Sequence, residues 1–307
     1  GGGKLLVYHG LPKSSAYLRA GPHPRPLPMG EGVIIAFAMM LLAGGCADYF
    51  LLHPSTGPAD AGGAERHVLS SNDRSVEYFT ARSAGAAHGV EPKAFVLEFC
   101  GNATRAEYIT RYVADRWGRR PVEVWVMNYP GFGGSTGPAT LSAIPAAALE
   151  TYDELSRQAA GRPIFVTGNS LGTTAALYVA SKRPVAGLIL QNPPPLQRMI
   201  LQRHGWWNAW LLAGPVVMQI PSELNALETA PRVKAPAVFV EAVEDSTVPA
   251  QYQQYIIDAY AGPKRIIRME HSGHESSITG EDDRRLQEAI NWLWEQNQPP
   301  MNTDGHR

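Results

Sequence analysis

Apolar runs and amphipathic stretches alternate along most of this chain. From Glu65 onward, short runs rich in β-branched and aromatic residues are followed by segments with helical spacing. His67–Ser70 and Ser75–Arg82 predict two strands around Ser71, Asn72 and Asp73, which are turn residues. Ala94–Phe99 predicts a strand, and Thr104–Trp117 carries Tyr108, Tyr112 and Val113 at helical spacing. Val122–Met127, Ile164–Thr167, Val185–Leu190, Ala237–Val243 and Arg265–Met269 read as further strands. Pro145–Ala160, Leu171–Ser181, Gln251–Tyr260 and Arg284–Glu295 read as helices.

Strand–helix alternation with nearly continuous apolar strands predicts an α/β domain. Its sheet should be mostly parallel, covered on both faces, with the first hairpin as an antiparallel edge. No internal repeat is present. The interval from Leu190 to Ala237 holds about 46 residues, too many for a plain connection in this class. A lid inserted at about 193–232 is expected there.

The N-terminal part follows a different pattern. Residues 1–28 show no periodicity and carry four prolines between Gly21 and Pro28, as expected of a disordered extension or of sequence upstream of a start at Met29. Val33–Ala43 is an apolar run of 11 residues, short for a membrane span but suited to a signal-peptide core within 29–45. It leads into Ala43-Gly44-Gly45-Cys46, which resembles the bacterial lipobox, where the cysteine is lipidated and becomes the new N-terminus. Ala43 stands where leucine is preferred, and no Lys or Arg lies between Met29 and the apolar run. An ordinary cleaved signal or an N-terminal anchor is the alternative. Residues 46–64, rich in Ala, Gly and Pro, are expected to be a tether, and 65–307 the folded domain.

Composition narrows the function classes. The chain has 307 residues, 44% hydrophobic and 18% charged, with a net charge of −1. No basic excess points to nucleic acid. Cys46 and Cys100 are the two cysteines, which excludes a CxxC pair or a cysteine-rich metal site. With Cys46 acylated, Cys100 has no disulfide partner. No metal or cofactor is expected. Gly131-Phe132-Gly133-Gly134 lacks the ending of a phosphate loop and reads as a structural turn.

The strongest chemical signal is Gly168-Asn169-Ser170-Leu171-Gly172, lying between a predicted strand and a predicted helix. A sharp strand-to-helix turn exposes the serine hydroxyl at the sheet edge, beside a helix N-terminus. Serine needs a base, and the base needs an orienting group. Asp245 follows a late strand in Asp245-Ser246-Thr247-Val248-Pro249, and is preferred to Glu244 and Glu241, which sit on or near that strand. Two histidines follow the last strand. His274, in the loop Ser272-Gly273-His274, is the expected base, and His271 is expected to be structural.

These motifs, in this order, resemble the α/β-hydrolase superfamily over residues 94–297. The nearest branch is that of the serine-aminopeptidase and lysophospholipase-like hydrolases with an N-terminal membrane anchor. Phe99-Cys100-Gly101-Asn102-Ala103 resembles the H-G-N-x-G oxyanion loop of that branch, with Cys100 in place of histidine and Thr104 in place of the last glycine. Asn128–Ser135 resembles its N-Y-R-G-Y-G-x-S segment. The resemblance implies the α/β-hydrolase fold, a mostly parallel twisted sheet with helices on both faces and a small lid. It implies a Ser170–Asp245–His274 triad, with backbone N–H groups of Asn102 and Leu171 as the oxyanion hole. The implied chemistry is cleavage of an ester, thioester or related acyl bond. A peptidase of the same fold, or a non-catalytic cell-envelope binding protein, remains the alternative. Trp206, Trp207 and Trp210 fall in the lid at roughly helical spacing, packing on the body, walling an acyl pocket through Trp206 and Trp210, or touching the membrane surface. The expected partners are a small-molecule or lipid-like acyl substrate and, through the lipid anchor, a membrane of the bacterial cell envelope. A secreted or periplasmic location is the alternative.

Overall fold

The computed structural model describes residues 46–71, 74–204 and 213–297. Among these, eight strands form one sheet: β1 (Glu65–Ser71), β2 (Arg74–Arg82), β3 (Ala94–Phe99), β4 (Val122–Met127), β5 (Ile164–Asn169), β6 (Gly187–Gln191), β7 (Ala237–Ala242) and β8 (Lys264–Met269). Their spatial order is β1-β2-β4-β3-β5-β6-β7-β8. β2 runs antiparallel to β1 and β4, and all other pairings are parallel. The expected antiparallel edge on a parallel sheet is therefore present. β3 and β7 are buried at every position, as their unbroken apolar character requires.

The helices are α1 (Cys46–Leu51), α2 (Ala106–Arg116), α3 (Ile144–Ala159), α4 (Leu171–Lys182), α5 (Leu196–His204), α6 (Ala213–Met218), α7 (Ala226–Thr229), α8 (Ala250–Ala259) and α9 (Gly280–Glu295). Right-handed crossovers decide which face each one covers. The chain steps one way from β3 to β4 and the other way from β4 through β8, so α2 lies opposite α3, α4 and α8. α9 returns to the face of α2, where Trp117 and Trp294 meet edge to face over Phe165. The reversal of direction falls between β3 and β5, and a ligand crevice opens at such a point in this class of sheet.

Element ends differ from the sequence pattern in instructive ways. α2 begins at Ala106 rather than Thr104, because Arg105 is extended at the N-cap (φ −121°, ψ 154°). α9 begins four residues before Arg284. That first turn holds Glu281, Asp282 and Asp283, which favour a helix N-terminus electrostatically but add nothing to the apolar period. The segment from 46 onward, expected as a tether, lies against the body. Ala47 and Leu52 are buried, Asp48 accepts a hydrogen bond from Leu141 N at 2.6 Å, and Ser55 O accepts one from Gly133 N at 2.9 Å. The expected lid region holds α5, α6 and α7. Trp206, Trp207 and Trp210 lie outside the described residues.

Candidate active site

Ser170 stands at the turn from β5 into α4 with φ 50° and ψ −121°, a conformation an L-residue occupies only when its surroundings enforce it. Two glycines make the turn possible by close approach. A Cβ on Gly168 would lie 2.6 Å from the backbone of Gly172, and one on Gly172 would lie 2.0 Å from Phe99 O. The elbow therefore packs directly on the end of β3. Ser170 N donates to Gln191 O at 2.8 Å, tying the turn to β6.

The structure brings Ser170, His274 and Asp245 together. His274 Nε2 is 3.1 Å from Ser170 Oγ, and His274 Nδ1 is 2.6 Å from Asp245 Oδ2. The Asp245 side chain is fully buried and its Oδ1 accepts from Thr247 N at 2.8 Å and Val248 N at 2.7 Å. That turn fixes the carboxylate, and the carboxylate fixes the ring. Hydrogen bonding to Asp245 holds the His274 imidazole above its ordinary pKa, against the opposing effect of burial. The rival groups are elsewhere. The His271 side chain is 93% exposed and pairs with Glu244 at 3.5 Å, whereas the histidine that reaches Ser170 is His274. Glu241 is buried on β7 and pairs with Arg268.

Two further residues hold this arrangement and carry no sequence signal. Asn192 is fully buried with φ 51°; its Oδ1 accepts from Ala242 N at 3.1 Å and its Nδ2 donates to His274 O at 3.3 Å. It thus ties β7 to the histidine loop. Gln253, buried on α8, donates to Val248 O at 2.7 Å and braces the Asp245 turn. Both are ordinary polar residues in sequence, and only their contacts 50 and more residues away, or across a turn, reveal the role.

Asn102 and Leu171 both line a cavity of about 340 Å³ with Ser170 and His274. Leu171 is the first residue of α4, so its N–H has no acceptor within the helix. Cys100 stands where the related loop carries histidine, and other groups hold the loop. Tyr129 OH donates to Cys100 O at 2.8 Å, and His53 N donates to Asn102 Oδ1 at 3.0 Å. Burial pushes the Cys100 thiol well above its ordinary pKa, which disfavours the thiolate. The rest of the cavity is largely apolar: Leu51 from α1, Pro194, Leu196, Met199 and Ile200 from the lid, and Val248. Among the described residues no cluster of His, Cys, Asp or Glu could hold a metal ion.

Known proteins share this fold. Residues 85–226 match the model of the alpha/beta hydrolase family. An uncharacterized protein of Mycobacterium tuberculosis is 28% identical over 155 residues, 50% of this chain and 53% of that one. The match thus spans about half the length of that relative. An uncharacterized membrane protein of Saccharomyces cerevisiae is 24% identical over 247 residues, 72% of this chain and 82% of its own. Among solved structures, Est1E of Butyrivibrio proteoclasticus with ferulic acid bound superposes with a TM-score of 0.60 at 14% identity, covering 75% of this chain and 98% of that one. The fold is the α/β-hydrolase fold, with its eight-stranded sheet flanked by helices.

Proposed function

We propose that this protein is a serine hydrolase that cleaves a carboxylic ester, thioester or related acyl bond through an acyl-enzyme on Ser170. The observation that carries the reading is the hydrogen-bonded chain Ser170–His274–Asp245 at a strained strand–helix elbow. Ser170 Oγ attacks the acyl carbon while His274 Nε2 takes its proton. The backbone N–H groups of Leu171 and Asn102 receive the oxyanion. His274 then returns the proton to the leaving group. Water next attacks the acyl-enzyme, again giving its proton to His274, and Ser170 is released. Asp245 holds the tautomer that leaves Nε2 free to accept.

The cavity beside Ser170 supports an acyl chain as the group bound there, because its lid side is aliphatic. Each buried methylene contributes about 0.8 kcal/mol. Hydrolysis of p-nitrophenyl esters is therefore expected to rise from acetate to longer chains, and Met199→Ala with Ile200→Ala to flatten the series. A wild-type rate falling steadily from acetate to octanoate would remove the acyl-pocket role.

The pH profile follows from His274. Its folded pKa lies above the ordinary imidazole value of 6.5, so the neutral base forms only at higher pH. kcat/KM should thus rise with pH around a midpoint above 6.5. The same shift stabilises the fold while His274 is protonated, and this increment is lost as pH rises through the folded pKa. Asp245→Asn is expected to move the midpoint to lower pH and cut kcat by about 10³–10⁴. An unmoved midpoint would show that another group titrates.

Attachment to a membrane through lipidated Cys46 belongs to the same reading. No helix among the described residues is long and apolar enough to cross a membrane. Cys46 opens α1 and Leu51 closes it at the cavity wall, so a lipid on Cys46 would hold the cavity about 8 Å away along the helix axis. That closeness, and the membrane protein among the relatives, favour a lipid-like substrate. Mass spectrometry of membrane-extracted protein should find a lipid-modified N-terminal peptide starting at Cys46. An unmodified Cys46 inside a longer peptide would exclude it.

A further inference from the structure

A second cavity, of about 240 Å³, opens beside His274. It shares Gly101, Thr104, Asn169, His274 and Glu275 with the apolar cavity, and the rest of its wall sets polar groups among Ile109, Val113 and Ile189. Glu98 and Thr167, cross-strand partners on β3 and β5, line it, with Arg116 from α2 and Gln191 from the end of β6. Glu275 adds a second acid.

Two acceptors in this wall are short of donors, one with a single donor and one with none among the described residues. Glu98 is 5% exposed, and among the described residues Thr167 Oγ1 is the one hydrogen-bond donor to its carboxyl. Asn169 Oδ1, on the residue before Ser170, is buried with no partner among the described residues. Buried polar groups are costly unless paired, so the free Asn169 Oδ1, with the singly paired Glu98 carboxyl in the same wall, favours a ligand that brings a donor. Burial pushes the Glu98 carboxyl up to about 7, so it is partly ionised near neutrality.

Resting on the serine-hydrolase reading above, we propose that this cavity is the leaving-group subsite and takes a group carrying a hydrogen-bond donor, an ammonium in preference to a hydroxyl. His274 borders both cavities. The base that returns the proton to the leaving group must lie on that group's side, while Leu171 and Asn102 hold the carbonyl oxygen on the apolar side. The ammonium preference follows from the wall, which sets two acids, Glu98 and Glu275, against the single cation Arg116. A donor entering here would satisfy Glu98 and Asn169 together.

Three aryl butyrates differing at one group test this: 4-methylphenyl, 4-(hydroxymethyl)phenyl and 4-(aminomethyl)phenyl butyrate. At neutral pH, kcat/KM for the aminomethyl ester should exceed that for the methyl ester by about tenfold or more, with the hydroxymethyl ester between them. Glu98→Gln, checked for folding by circular dichroism, should lose the ammonium advantage and keep the hydroxyl one. Glu98→Leu should lose both. Equal cleavage of all three esters by the wild type overturns the subsite and leaves the hydrolase reading standing. An ammonium advantage that survives in folded Glu98→Gln also overturns it. If no ester is cleaved and a fluorophosphonate does not label Ser170, the hydrolase reading falls and the subsite with it.

Discussion

Replacing Ser170 with alanine is expected to lower hydrolysis of an activated butyrate ester by about 10⁵-fold or more, with the fold intact. The expectation rests on geometry. Ser170 Oγ is the atom His274 Nε2 faces at 3.1 Å, and that ring is already oriented by Asp245. Without the hydroxyl no acyl-enzyme forms, and only the remaining binding and oxyanion contacts could speed attack by water. Alanine keeps the Cβ and meets the same backbone demand at φ 50°, so thermal stability should stay within about 1 kcal/mol of wild type. A fluorophosphonate probe should label the wild type at Ser170 and leave Ser170→Ala unlabelled. Wild-type protein that is folded yet never labels, or a variant that keeps its activity, would end the serine-hydrolase reading.

Gly172→Ala carries the largest expected effect on stability. The added Cβ would lie 2.0 Å from Phe99 O, 2.6 Å from Phe99 C and 2.7 Å from Cys100 O. All three are backbone atoms, so no rotamer change relieves the clash. α4 must move off the end of β3, and that movement separates the serine elbow from the Asn102 loop. A loss on the order of 3–5 kcal/mol is expected, enough to lower Tm by roughly 10 °C in a domain of this size. Gly214→Ala serves as the control, since among the described residues nothing lies within 4 Å of its added Cβ. Thermal denaturation of the two variants decides the matter. A Gly172→Ala melt matching that of the control would mean that the elbow does not pack on β3 as described.

Much of the site was legible because it is built from local backbone chemistry. A strand, a G-x-S-x-G turn and a helix are consecutive in the chain, and so are β7 and the Asp245 turn. Choosing His274 over His271 needed more than position, since both follow β8 within five residues. The loop beyond Met269 leaves His271 in solvent and turns His274 inward, where Asn192 holds its carbonyl. Nothing in the local spacing marks Asn192 or Gln253, because their partners come from β7, the histidine loop and the Asp245 turn.

The sequence by itself determined the alternation of strands and helices, the antiparallel edge, the lid interval and the elbow that presents Ser170. Those features follow from hydrophobic period and from where glycine is sterically required, and both are properties of neighbouring residues. Tertiary structure decided the rest. It brought together His274 and Ser170, 104 residues apart, and docked residues 46–58 on the body through Ala47, Leu52 and the Arg105 bond to Gly57. It also buried Glu98 against Thr167 beneath the histidine loop, where a strand pattern reads only one polar residue in an apolar run. Each of these depends on groups distant in sequence sharing a low-dielectric space, which the assembled sheet creates and the local pattern does not encode.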